Sequence, residues 1–310
     1  MAQKPLEIYW VNELTYIGLS VSVLSLIINL AIEVTVWSAV VKTSTLHLRH
    51  TAHVNISLCL LVADGCFLAS LEPKIISDFW CVTSVVLKHF CFLAMFFWML
   101  ALSCTLLHQA VFMFHNVSKK NYLSFSYFLG YVCPLLIVTT AFLSNGSGAM
   151  GRYYSRDTCW LLYSGLFRGS IHTFLIPVGI IVFTNVFSMV IVIILLLNHP
   201  DSIAKSNEKT AAKTVMRTVI LLTPIFGVTW IFGFFVMSLD LTYGYVAYAV
   251  NYAFTLLNAF QGLFILLTTC LGDRLVCMGV FPLNHNMFCK SSFVLNHPSA
   301  VKLTKVQEPP

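Results

Sequence analysis

Polar and apolar positions alternate along this chain in blocks, not residue by residue. Seven apolar stretches run at about residues 14–41, 51–71, 80–114, 123–143, 170–197, 214–239 and 245–271, with short polar segments between them. Each is long enough for a helix to cross the ~30 Å hydrocarbon core of a bilayer. The third is longer than crossing requires, which predicts tilt or extension beyond the membrane. The pattern predicts an all-α membrane protein, a bundle of seven transmembrane helices with its ends on opposite sides. It divides into a short leading segment (1–13), the bundle (14–271) and a polar tail (272–310). The leading segment does not read as a cleavable signal, because a full span follows directly.

The sixth stretch is the most irregular. Residues 222–233 read LTPIFGVTWIFG. Pro224 removes a helical N–H and predicts a kink. Gly227 and Gly233 permit close helix approach or flexing. Trp230 lies six residues beyond the proline, near the opposite helical face. A bent helix carrying a bulky ring beyond its bend is a candidate moving part; the plainer reading is that Pro and Gly are common in membrane helices.

Composition narrows the class. Hydrophobic residues make up 58% of the chain and charged residues 10%, against roughly 25% charged in soluble domains. The net charge of +6 forms no basic stripe, so nucleic acid is not an expected partner. The ten cysteines show no CxxC and no zinc spacing, so neither a metal nor another cofactor is expected. There is no H-E-x-x-H and no pair of membrane aspartates, which argues against an intramembrane enzyme. With no inverted repeat and few intramembrane charges, a transporter or channel also fits poorly.

Charge bias gives orientation. Twelve Lys and Arg fall on the side of the first, third and fifth loops and the tail, five fall on the other, and Lys88 lies inside a span. Basic residues favour the cytoplasm, so the start of the chain is predicted outside and the tail inside. Of three N-x-S/T sequons, Asn55 falls in a span and Asn116 in an inner loop; Asn145 falls outside, where glycosylation is allowed. Cys81, at the outer start of the third span, and Cys159, in the long second outer loop, both face the oxidising side. A disulfide between them would tie that loop over the mouth of the bundle; the alternative is two unpaired thiols. Cys59, Cys66, Cys91, Cys104 and Cys133 read as packing residues within spans. Cys270 and Cys277, near the inner interface, are candidate acylation sites.

Seven spans with a bridge from the third helix to the second outer loop resemble a G-protein-coupled receptor. The rhodopsin-like class fits badly: Leu107-His108-Gln109 stands where D-R-Y would be, and the seventh span has no N-P-x-x-Y. The motifs resemble instead the transmembrane region of an adhesion G-protein-coupled receptor, most of all subfamily F. They are YIGLSVSVLSLIINLAIE (16–33), RHTAHVNISLCLLVAD (49–64), HFCFLAMFFWML (89–100), LGYVCPL (129–135), CWL (159–161), LTPIFGVTWIFG (222–233) and LLNAFQGLFIL (256–266).

That resemblance implies a plasma-membrane receptor. A tethered or exogenous peptide agonist enters the bundle from outside, and the sixth helix moves to activate a heterotrimeric G protein. The sequence departs from the family at both ends. About thirteen residues precede the first span, with no cleavage motif and no apolar agonist peptide, and 273–281 (DRLVCMGVF) lacks the family's basic amphipathic helix. The competing expectation is therefore a truncated, non-signalling form that partners or sequesters a full-length receptor, as a homo- or hetero-dimer.

The resemblance also implies roles. Phe92 and Phe96 would line the agonist pocket, with His89 above them, Trp160 as its cap and Trp230 as its floor. Asn258 and Gln261 are polar groups inside the bilayer that need partners. Pro224, Gly227, Trp230 and Gly233 form the expected switch. Arg49, His50, His108 and Arg217 would rim the G-protein groove, although membrane lipids account equally for such basic residues. Three ionisable residues lie inside spans. Glu33 is in the inner half of the first. Asp64 and Lys88 each lie roughly 10–12 Å below the outer end of their helices, at ~1.5 Å per residue. An intramembrane charge is costly and seeks a partner, so Asp64 and Lys88 are expected to pair. The alternative is Lys88 reaching up to the outer mouth. The resembled family has no lysine at that position.

Overall fold

The computed structural model describes residues 4–41, 44–111, 119–165, 168–198, 230 and 245–272. Of the expected switch and rim residues, Pro224, Gly227, Gly233 and Arg217 lie outside these, as do Cys277 and Asn116.

Helix α1 spans Lys4–Val40, α2 Ser44–Ala69 and α3 Asp78–Val111. Helix α4 (Lys119–Tyr127) passes through a π-turn at Phe128–Val132 into α5 (Cys133–Ser144). A two-stranded antiparallel hairpin follows, β1 (Tyr154–Ser155) with β2 (Trp160–Leu161). Then come α6 (His172–Asn198), α7 (Tyr245–Ala259) and α8 (Gln261–Gly272). Helix α1 begins about ten residues before the predicted first span, so Lys4–Glu13 is helical.

Five of these helices, one of them α4–α5, are long and apolar enough to cross a membrane; α7 and α8 together would make a sixth. They meet at a 49° bend. The predicted sixth span, apart from Trp230, falls outside the described residues.

Helix α3 is the axis. Its apolar stretch is 72% buried, against 28% for α4–α5, because α3 packs on α2, α5 and α6 and beneath the hairpin. The 34 residues of α3 measure about 50 Å at 1.5 Å each, well beyond the hydrocarbon core.

Two irregularities shape the bundle. Pro134 has no N–H for the Gly130 carbonyl, and the helix widens into its π-turn just before it. Gly130 lets Trp98 lie against the helix backbone: a Cβ there would sit 2.5 Å from the Trp98 indole nitrogen. Trp98, 1% exposed, stands edge-on to Tyr127 and Tyr131, at 5.1 and 5.6 Å between centroids. The second irregularity is the α7–α8 bend, where Gly262 meets α1. Its N–H donates to Ser22 Oγ at 3.0 Å, and Ser22 Oγ–H donates to Asp64 Oδ2 at 2.6 Å. Gly18 makes the matching approach further along the seam, where a Cβ would lie 2.5 Å from that of Ala259.

Candidate functional site

The end of the bundle that carries the hairpin is closed by a covalent and polar knot. Cys81 and Cys159 form a disulfide, with Cα atoms 5.3 Å apart. Arg156, three residues before Cys159, reaches the chain between α2 and α3: Nε bonds the Asp78 carboxylate, Nη1 the Pro73 carbonyl and Nη2 the Ile76 carbonyl. Ser170 Oγ donates to the Tyr153 carbonyl and accepts from the Leu162 N–H at 2.9 Å, tying the hairpin to the start of α6. The Tyr153 hydroxyl lies 3.0 Å from His89 Nδ1. Burial raises the pKa of that hydroxyl, so it keeps its proton and can donate to the ring.

Beneath the knot lies a cluster of rings. Trp230 stands edge-on to Phe96 (5.2 Å between centroids), Phe92 (5.6 Å), Phe254 (5.7 Å) and Phe174 (5.9 Å). Trp160, on β2, covers the cluster, 5.8 Å from Phe174 and 6.0 Å from Phe92. His89 closes one side, 6.3 Å from Phe174. Trp230 Nε1 donates to Gln261 Oε1 at 3.4 Å, beside the α7–α8 bend. Edge-to-face pairs are worth about 0.5–1.5 kcal/mol each beyond their burial, so a ring touching four others is held by their sum.

The structure thus brings together Phe92, Phe96, His89, Trp160 and Trp230, from helix α3, the hairpin and the predicted sixth span. Two members were missing from the sequence reading, Phe174 and Phe254. Nothing in their local sequence separates them from the chain's other phenylalanines; only the packing selects them. Asn258 Nδ2 donates to the Phe254 carbonyl one turn back. Of the two polar residues in that stretch, Gln261 reaches the indole.

Two expectations are corrected. Asp64 and Lys88 do not pair. Lys88 Nζ donates to Ser70 Oγ and to the Cys159 carbonyl, both at 2.7 Å, while Asp64 accepts from Ser22. The reason is depth: on α2, Ser70 lies six residues from Asp64, or about 9 Å along the axis, and Lys88 extends toward the hairpin. His50 does not rim an open groove. It is 3% exposed, and its Nδ1 lies 3.0 Å from Glu33 Oε2 inside the bundle. A nearby ring answers the buried carboxylate's need for a partner. Arg49 and His108 are half-buried. Among the described residues there is no group of three His, Cys, Asp or Glu able to hold a metal ion.

The family described as 7 transmembrane receptor (Secretin family) matches residues 9–265. The chain belongs to that family. It is similar to human adhesion G-protein coupled receptor F3, with 38% identity across 84% of this chain and 23% of the relative. It is similar also to rat adhesion G protein-coupled receptor F5, 36% over 85% of this chain and 19% of the relative. With mouse adhesion G protein-coupled receptor F4 it shares 34% over 88% of this chain and 38% of the relative. The chain therefore spans about a fifth to two fifths of the length of these curated relatives. The resemblance to subfamily F holds, and the chain is a membrane-embedded helical protein of a receptor family, not of an enzyme family.

Proposed function

We propose that this chain is the signalling bundle of an adhesion-type G-protein-coupled receptor, sited in the plasma membrane with its disulfide end outside. An apolar peptide, tethered or free, enters from that end and displaces rings of the aromatic cluster. Trp230 moves with the sixth helix about Pro224, and the opposite end opens to a heterotrimeric G protein. Asn145, in the loop after α5, is the glycosylation site in this orientation.

The observation that carries this reading is the position of Trp230. One indole touches α3 through Phe92 and Phe96, α6 through Phe174, and the α7–α8 bend through Phe254 and Gln261. A ligand that wedges any of these rings apart must move Trp230. Breaking the 3.4 Å bond to Gln261 costs little, since intramembrane side-chain bonds average only about 0.6 kcal/mol, so the four ring contacts set the cost of moving the indole.

The test is G-protein activation in cells expressing the chain, with and without a synthetic apolar peptide taken from the segment that precedes the first span in a relative. Peptide-dependent activation is expected in the wild type and should fall at least tenfold in Trp230→Ala at equal surface expression. Equal activation in the two would sink Trp230 as the coupling residue. No activation by any peptide would sink the signalling reading.

A further inference from the structure

Lys88 is the unexplained charge of the site. It is 1% exposed in a helix that crosses the membrane. Unlike His50, which meets Glu33, and Arg156, which meets Asp78, Lys88 has no carboxylate in reach among the described residues. Its ammonium is met instead by two neutral oxygens, Ser70 Oγ and the Cys159 carbonyl. Two rings complete the setting, Phe67 at 5.0 Å and Trp160 at 5.5 Å from the nitrogen to the centroid. An ammonium has three donors, and two are used here. A ring face returns about 0.5–2 kcal/mol to a cation, less than an ionic partner gives in a site shielded from water.

Position gives this charge its meaning. Lys88, Phe92 and Phe96 follow one another at four-residue spacing, so they lie along one face of α3. Trp160 lies against both the ammonium and Phe92. The cation therefore stands at the upper edge of the aromatic cluster, behind its cap. Charged and titratable groups facing it from the packed elements are few. Helix α2 offers Cys66, Phe67 and Ser70, and the hairpin offers the Cys159 carbonyl; none is anionic as a carboxylate is.

We infer that the ligand of this site is an apolar molecule bearing a carboxylate, with its apolar part among Phe92, Phe96, Phe174 and Trp230 and its carboxylate on the Lys88 ammonium, which Trp160 uncovers as it shifts. The inference rests on reading the aromatic cluster as the agonist pocket. The carboxylate could be an acidic side chain in an otherwise apolar peptide or the head of a free amphiphile. The recognition chemistry is the same for both.

The experiment uses the full chain in lipid nanodiscs and measures binding by displacement of intrinsic tryptophan fluorescence. The probes are two matched sets: apolar heptapeptides carrying Asp or Asn at each position in turn, and a long-chain fatty acid with its primary amide. The receptors are wild type, Lys88→Gln, Lys88→Arg, Ser70→Ala and Trp230→Ala.

In the wild type, at least one acid probe is expected to bind about tenfold tighter than its neutral partner. That preference should vanish in Lys88→Gln and persist in Lys88→Arg. It should also persist in Ser70→Ala, which removes a tether of Lys88 and leaves its charge; a merely structural lysine would make Ser70→Ala and Lys88→Gln behave alike. Which set shows the preference names the source of the carboxylate. Acid and neutral partners binding equally well in the wild type, with both weakened in Trp230→Ala, would overturn this inference and leave the pocket reading standing. Binding indifferent to Trp230→Ala, or no binding by any probe, would overturn both.

Discussion

Two buried ionisable side chains in this bundle are held in different ways. Lys88 is held by the loop end: its ammonium bonds the Cys159 carbonyl, and Cys159 is fixed by the disulfide to Cys81. Asp64 is held by helices alone: Ser22 on α1 donates to it and accepts from the Gly262 N–H, which is available where α7 bends into α8. The first arrangement depends on a covalent link across 78 residues. The second depends on a gap in a helix and on small residues that let α1 approach it. A loop cannot hold a carbonyl under a buried ammonium unless something fixes the loop, whereas a helical seam needs only close contact. The covalent end should therefore fail as a unit, and the seam should fail locally.

The largest expected effect separates the two directly. Cys159→Ala removes a bridge whose loop-closure value is about 4 kcal/mol and frees the carbonyl that serves Lys88. The thermal midpoint should drop sharply, and hydrogen exchange should rise in the hairpin and the first turns of α3 with the α1–α8 seam still protected. Uniform loss of protection would show that the two regions are one cooperative unit.

Gly262→Val attacks the other side. A Cβ at this position would lie 2.6 Å from the Ser22 carbonyl oxygen and 2.8 Å from Leu26 Cγ. Overpacking of this kind costs about 1–3 kcal/mol. The expected result is a lower melting temperature with the disulfide still resistant to mild reductant; unchanged melting would mean that α1 can back away freely.

Ser22→Ala is gentler in shape but leaves the Gly262 N–H and one Asp64 oxygen without the shared hydroxyl. A loss of about 1–2 kcal/mol is expected, and Ser22→Thr should restore most of it. If Ser22→Ala melts like the wild type, the three-residue chain contributes nothing to stability.

The smallest effect returns to the loop end. Asp78 is 77% exposed at its side chain, so its pairing with Arg156 is an exposed one, worth roughly 0–1 kcal/mol. Asp78→Asn should shift the melting temperature by no more than a degree or two. Arg156→Ala, which also loses the bonds to Pro73 and Ile76, should shift it more. Equal shifts would assign the whole effect to the ion pair.

Much of the fold was legible because bilayer physics is written into composition. Apolar blocks of the right length announce helices, and the positions of Cys81 and Cys159 at the mouth announce the bridge. Phe92, Phe96 and Trp160 were legible through motifs. The partner of Lys88 was not. Sequence gives depth along a helix at a fixed rise per residue, but it gives neither the rotation of the helix nor the reach of a four-carbon side chain. His50 was misplaced for the same reason: its depth near the end of α2 suggested a rim, while its azimuth turns it onto Glu33. The π-turn had a visible cause in Pro134. The bend before Gly262 had none in its own segment, since no proline stands there and the acceptor for its N–H lies on α1.

The sequence by itself determined that this chain forms membrane-spanning helices and that its third helix and second loop could be joined. Those follow from hydrophobicity, length and residue type, which are local properties. Only the tertiary structure decided that Trp230 is the ring shared by four others, that Asp64 belongs to the α1–α8 seam, and that Lys88 stands beneath Trp160 on the Ser70 hydroxyl and the Cys159 carbonyl. Each of those depends on which faces of separate helices meet, and no single segment of the chain contains that information.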